Sequence, residues 1–172
     1  MPSVMRPQPR PVDLRAVLPD RSVSEAVGGV MVTGITHDSR DVQHGDLYAA
    51  LPGRITHGAR FASAAVAAGA VAVVTDAAGA DQCDGIDVPV VVLDDPRAAL
   101  GSMAARVYGE PARDLVMIGI TGTNGKTTVA TMVEAGLRAA GRRTGMVGTV
   151  GVTIDGARHP AARRRRPGVI GR

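Results

Sequence analysis

Residues 119–128 read Gly119-Ile-Thr-Gly-Thr-Asn-Gly-Lys-Thr-Thr128. An apolar run, Leu115-Val-Met-Ile-Gly-Ile120, precedes them, and residues 126–140 carry apolar side chains at helical spacing. Strand, glycine-rich turn, Lys-Thr and helix is the order of a phosphate cradle. The glycines let backbone N–H groups turn toward phosphate oxygens, and the helix points the positive end of its dipole at the same anion. In this reading Gly122, Thr123, Asn124, Gly125, Lys126, Thr127 and Thr128 bind a nucleotide. Lys126 is the catalytic cation at the terminal phosphates, and the Thr127 hydroxyl is the metal ligand, holding Mg²⁺. The general P-loop pattern wants a glycine five residues before Gly125, but Ile120 stands there and a glycine sits at 122. A tight strand-to-helix turn would use the glycines without needing Lys-Thr-Thr. A lysine at a helix start opposes the macrodipole, and a bound anion accounts for it better.

Working outward, Val129, Met132, Val133, Gly136, Leu137 and Ala140 share one face of a helix that Gly141 stops. A strand over 144–150 follows, so strand 115–120, helix and strand are expected to form one βαβ unit. Upstream, residues 30–36, 46–51, 70–75 and 88–93 read as strands, with Pro89 near the start of the last, where a missing N–H is tolerable. Residues 61–69 and 95–108 read as helices, the second with Pro96 in its first turn. Short apolar strands separated by helices predict an α/β fold. The polar break Gly109-Glu-Pro-Ala-Arg-Asp114 places a domain boundary there. The expected organisation is a disordered leader over 1–13, an α/β domain over 14–110, the incomplete start of a P-loop nucleotide-binding domain over 111–156, and a disordered Arg-rich tail over 157–172.

Hydrophobic residues make up 45% of the chain but aromatics only 2%, so any core must be built from Val, Ile, Leu, Ala and Met. The single cysteine, Cys83, forbids an internal disulfide and points to a reducing, cytoplasmic setting. With no motif around it, Cys83 reads as a small structural side chain. No apolar run approaches the roughly 20 residues that span a bilayer, and the N-terminus has no secretory h-region, so no membrane partner is expected. The net charge of +4 is a property of the tail. Six of the twenty Lys and Arg residues lie in 157–172, leaving 14 against 16 acids, a net charge of −2. That body gives no electrostatic case for nucleic acid, and the four consecutive arginines from 163 to 166 read as a solvated tail without a stacking platform.

The loop Thr121-Gly-Thr-Asn-Gly-Lys-Thr-Thr128 resembles that of the Mur ligases, ATP-dependent enzymes that add amino acids to the peptidoglycan precursor. A second set of residues resembles the UDP-binding domain of the family members that add a diamino acid: Asp38-Ser-Arg40, Gly45-Asp-Leu-Tyr-Ala-Ala-Leu51, Gly53, His57-Gly58, Phe61 and Ala68-Gly-Ala-Val-Ala-Val-Val74. The resemblance covers roughly residues 12–156. It implies that Ser39 contacts the UDP part of the substrate, that His37 lines the uracil site, and that Arg54, Ile55 and Thr56 sit in a loop closing over the uridine. It implies ATP and Mg²⁺ as cofactors and a UDP-MurNAc-peptide as substrate. The reaction implied is addition of diaminopimelate or lysine to UDP-MurNAc-L-Ala-D-Glu through an acyl phosphate. Where the family carries a Thr-Thr-Pro segment, this chain has His159-Pro-Ala-Ala followed by arginines. The family's modified lysine, metal ligands and amino-acid-binding C-terminal domain have no counterpart in these residues.

Three readings follow. The first is an N-terminal fragment of the amide-forming ligase that adds a diamino acid, with the D-Ala-D-Ala-adding member of the family as the alternative. The second is a UDP-sugar and nucleotide-binding module that does not turn over by itself. The third, a basic-tailed nucleic-acid binder, is opposed by the acidic body. Asp38-Ser-Arg40 alone would equally be a surface turn held by an Asp side chain, and His57 before Gly58 a turn residue.

Overall fold

The computed structural model describes residues 9–19, 27–149 and 151–159. The chain divides into two compact units after Val116. The first is built on a four-stranded parallel sheet, β3 (Gly34–Thr36), β4 (Asp46–Ala49), β5 (Ala72–Thr75) and β6 (Val90–Val92), in that spatial order. Thr36 lies beside Tyr48, Ala49 beside Val74 and Thr75 beside Val92, so the carboxyl ends of all four strands share one edge.

Both faces of this sheet are covered, which is why its strands read as near-continuous apolar runs. Leu47, Ala49, Ala72, Val74 and Val91 face one core with Met103 and Val107 of α4 (Pro96–Val107) and with Leu14 and Val17 of α1 (Leu14–Val17). Tyr48, Ala50 and Val73 face the other, with Ala62 and Ala65 of α2 (Ala62–Ala67) and with Cys83. The Ala-rich α2 lets the sheet approach closely, and Cys83 is a buried free thiol whose pKa is raised by burial, as its structural reading predicted. Helix starts carry the expected chemistry: the Asp95 carboxylate accepts from the Ala98 N–H at 2.9 Å, Pro96 stands at the first turn, and Asp76 caps α3 (Ala77–Ala80). The α/β class with a parallel sheet is thus as the sequence predicts.

The expected strand over 30–36 is two strands in two sheets. Met31–Val32 (β2) pairs antiparallel with Val12–Asp13 (β1), and only Gly34–Thr36 joins the parallel sheet. Strand pairing therefore begins inside the segment read as a leader, at Val12. Residues 1–8 of that segment lie outside the described residues.

The second unit departs further from expectation. Helix α5 (Lys126–Ala139) forms, and Gly141 ends it as predicted, with Arg142 N–H bonded to Leu137 O at 3.0 Å and Gly141 N–H to Arg138 O at 2.9 Å. Residues 115–120, however, form no strand: 115–119 are exposed, Val116 at 92%, and no described strand pairs with them. An apolar run becomes a strand only when a ladder takes up its N–H and C=O groups. The strand over 144–150 appears as β7 (Gly145–Gly148), but it pairs antiparallel with β8 (Gly151–Ile154), which in turn pairs with β9 (Ala157–His159). Among the described residues of this second unit there is therefore an antiparallel meander and no βαβ unit. Asp155 and Gly156, both at positive φ (48° and 83°), make the tight turn from β8 to β9. The first three residues of the segment read as an Arg-rich tail thus belong to a strand, and 160–172 lie outside the described residues.

Candidate functional site

Two groups of residues carry chemistry, one in each unit. In the first unit the carboxyl edge of the parallel sheet gathers the loops that follow each strand, the position where open α/β sheets hold ligands. After β3 the chain passes through His37 into a 3₁₀ turn, Ser39–Asp41. Asp38 organises that turn. Its carboxylate accepts from the Arg40 backbone N–H at 3.1 Å and from the Arg40 guanidinium at 2.8 Å, and this pairing holds the Asp38 carboxyl below the usual carboxylate range. The turn held by an Asp side chain, the alternative reading of Asp38-Ser-Arg40, is therefore present, and it leaves Ser39 half-buried and His37 exposed.

After β4 comes the loop 52–57. Arg54 and Ile55 are exposed, Ile55 completely, while Thr56 is half-buried and accepts from Arg60 at 3.3 Å. Tyr48, 1% exposed, anchors the end of this loop: its hydroxyl donates to Gly58 O at 2.9 Å. Burial pushes the Tyr48 phenol up, which keeps it a neutral donor. His37, Ser39, Arg54, Ile55 and Thr56, distant in sequence, are thus carried on the ends of two adjacent strands.

Three residues at this edge were not read from the sequence as part of a site. Asp76, directly after β5, has its Oδ1 3.1 Å from His57 Nε2 and 2.8 Å from the Gly79 N–H. Thr75 is fully buried and its hydroxyl donates to Ala50 O at 3.0 Å. Arg97, in the first turn of α4, donates to Pro52 O at 2.5 Å. The available signal was position alone: a polar residue immediately after a buried apolar strand sits at the ligand edge.

In the second unit Gly122 (φ 149°) and Gly125 (φ 75°) adopt backbone conformations that side chains disfavour, and Gly125 stands at the N-cap of α5. No side chain caps that helix, so its first N–H groups are left to an incoming acceptor. The Lys126 side chain folds back over the loop, its Nζ donating to Gly122 O and, at 3.4 Å, to Thr123 O. Thr127 and Thr128 occupy the first turn of the helix and are exposed. Their geometry suits a phosphate group: open backbone at positive φ, an uncapped helix start and a cation held over the turn. Among the described residues no cluster of His, Cys, Asp or Glu could hold a metal by itself, so a cation here would need phosphate oxygens as well as Thr127.

Comparison with known proteins agrees with both halves. The Mur ligase family, catalytic domain, matches residues 31–108, and the Mur ligase middle domain matches residues 120–167. The UDP-N-acetylmuramoyl-L-alanyl-D-glutamate–2,6-diaminopimelate ligase of Streptomyces coelicolor is 52% identical over 155 residues, covering 87% of this chain and 30% of that protein. The Pseudomonas aeruginosa protein of the same name is 40% identical over 147 residues, covering 86% of this chain and 29% of its own length. Among solved structures, one of a UDP-N-acetylmuramoyl-L-alanyl-D-glutamate–2,6-diaminopimelate ligase superposes with a TM-score of 0.63 at 26% identity, over 84% of this chain and 29% of that one. The chain spans about three tenths of the length of the relatives it matches. On two family matches in the expected order and these relatives, the chain belongs to the Mur ligase family.

Proposed function

We propose that this chain supplies the precursor-binding and phosphate-binding parts of an ATP-dependent ligase that adds diaminopimelate to UDP-MurNAc-L-Ala-D-Glu in cytoplasmic peptidoglycan synthesis. The observation that carries the reading is the phosphate loop at the start of α5, where Gly122 and Gly125 open the backbone and Lys126 stands over the turn. The choice of diaminopimelate over lysine is supported by the names of the relatives and by no residue of this chain.

ATP with Mg²⁺ would supply the activating phosphoryl group. Gly122, Thr123, Asn124 and Gly125 would cradle its phosphates with backbone N–H groups, Lys126 would neutralise charge at the terminal phosphate, and Thr127 with Thr128 would sit nearest the cation. In the first unit Ser39 and the exposed loop of Arg54, Ile55 and Thr56 would hold the UDP portion, with His37 beside the uracil. Arg54 would add a cation next to the diphosphate.

A second reading concerns the 172 residues by themselves: a module that binds precursor and nucleotide without turnover. It is supported by the chain's span, about three tenths of the length of its relatives, which includes the phosphate loop at the start of α5. Incubating the chain with the precursor, ATP, Mg²⁺ and diaminopimelate separates the readings. Binding of precursor without product supports the module, amide formation supports the ligase in this chain alone, and failure to bind either ligand refutes both.

A further inference from the structure

We propose that His57 and Asp76 are positioning residues that fix the uridine-side loop 52–57. This inference rests on the precursor-binding reading above. The loop leaves β4 and must return to the sheet, and it is pinned at both ends by contacts that no sequence motif reveals. At its start Pro52 O accepts from Arg97 at 2.5 Å. At its end the His57 ring is held on two sides. Nδ1 accepts from the Ala59 N–H at 3.0 Å, so the hydrogen sits on Nε2, which points at Asp76 Oδ1 3.1 Å away.

The pair is largely withdrawn from water, with side-chain exposures of 14% for His57 and 21% for Asp76. Asp76 is itself held, because the same oxygen accepts from Gly79 N–H and caps α3. The packing leaves no spare room: a Cβ on Gly79 would meet His57 Cε1 at 2.5 Å and collide with Thr75 Oγ1. Both strand ends thereby act on one ring, β4 through the loop and β5 through Thr75 and Asp76. In contrast, Arg54 and Ile55 between the pins touch solvent. A loop whose ends are rigid and whose tip is free is pre-organised to meet a ligand, and its binding does not bear the cost of ordering the backbone.

The test is calorimetric titration of UDP onto the full chain and onto three variants, with a thermal melt and an ATP titration of each. Asparagine at 57 can still cap the 3₁₀ turn through its Oδ1 but cannot reach Asp76. His57→Asn should therefore weaken UDP about fivefold or more while ATP affinity and the melt stay at the parent's values. Asp76→Asn keeps the Oδ1 acceptor and should bind UDP within about twofold of the parent. Gly79→Ala, which pushes the same ring, should lose UDP affinity at least as far as His57→Asn. UDP affinity unchanged in both His57→Asn and Gly79→Ala overturns the positioning role and leaves the precursor-binding reading standing. Equal loss in Asp76→Asn also overturns it, by showing that charge and not the held ring matters. Absence of UDP binding by the parent chain overturns the precursor-binding reading, and the inference with it.

Discussion

Replacing Asp38 by alanine removes three acceptor contacts at once. The carboxylate caps the Ser39–Asp41 turn through the Arg40 N–H and pairs with the Arg40 guanidinium. Loss of a side-chain cap costs about 1 kcal/mol. An exposed ion pair adds about 0–1 kcal/mol, and Arg40 is three-quarters exposed. Asp38→Ala should therefore destabilise the first unit by about 1–2 kcal/mol, a fall in its melting temperature of roughly 4–8 °C. The pH dependence fixes the mechanism. The Arg40 guanidinium holds the Asp38 carboxyl below its ordinary 3.8, so the unfolded chain binds that proton more tightly than the folded one. The contribution is full above about pH 5 and drains away as pH falls through the lowered native value. Urea unfolding of parent and variant, followed by circular dichroism from pH 7 to pH 3, should show a constant gap down to about pH 5 and a narrowing one below. A gap of zero at pH 7, or one that does not narrow in acid, would refute the capping account and with it the reason Ser39 is held where it is.

Three further outcomes follow from the same structure. Met103→Ala, at a fully buried position where α4 packs on the sheet, should cost about 2–5 kcal/mol in urea unfolding. Gly125→Ala forces a Cβ onto φ 75°, so it should destabilise the loop by about 1–2 kcal/mol and weaken ATP, seen by calorimetry, while leaving UDP titration unchanged. The 172-residue chain should form no amide bond from precursor, ATP and diaminopimelate, because holding acceptor and amine together is worth roughly 7–11 kcal/mol of barrier and the chain spans only about three tenths of the length of its relatives. Product detected by mass spectrometry would reverse that expectation.

What was legible in the sequence was whatever is encoded by a run or a period. β4, β5 and β6 lie between two cores, so their apolar runs had one reading, while α5 announced itself by spacing and α4 by Asp95-Pro96. What failed was pairing, which is a property of two segments. The run 115–120 looks like a strand but no described ladder receives it, and β7 finds an antiparallel neighbour where a parallel one was expected. The Asp155-Gly156 pair is a hairpin signal that the sequence reading did not use. Asp155 is held there by the Thr144 N–H first and the Arg143 guanidinium second, contacts that cross from the end of β8 to the start of β7. Within the candidate site, Ser39 and Arg54-Ile-Thr56 entered through the family resemblance and not through any local chemical pattern. His57 and Asp76 are 19 residues apart and meet only because β4 and β5 are neighbours, so nothing local marks the pair.

The central claim is that the loop at the start of α5 binds nucleotide phosphate, and titration of ATP with Mg²⁺ onto the parent chain and Lys126→Ala tests it most directly. A charge-assisted contact of this kind is worth about 1.5–3 kcal/mol, so the variant should lose about tenfold or more in ATP affinity and nothing in UDP affinity. Equal ATP affinity in parent and variant, or no ATP binding by the parent, would contradict the account and reduce the loop to a turn that leads into α5.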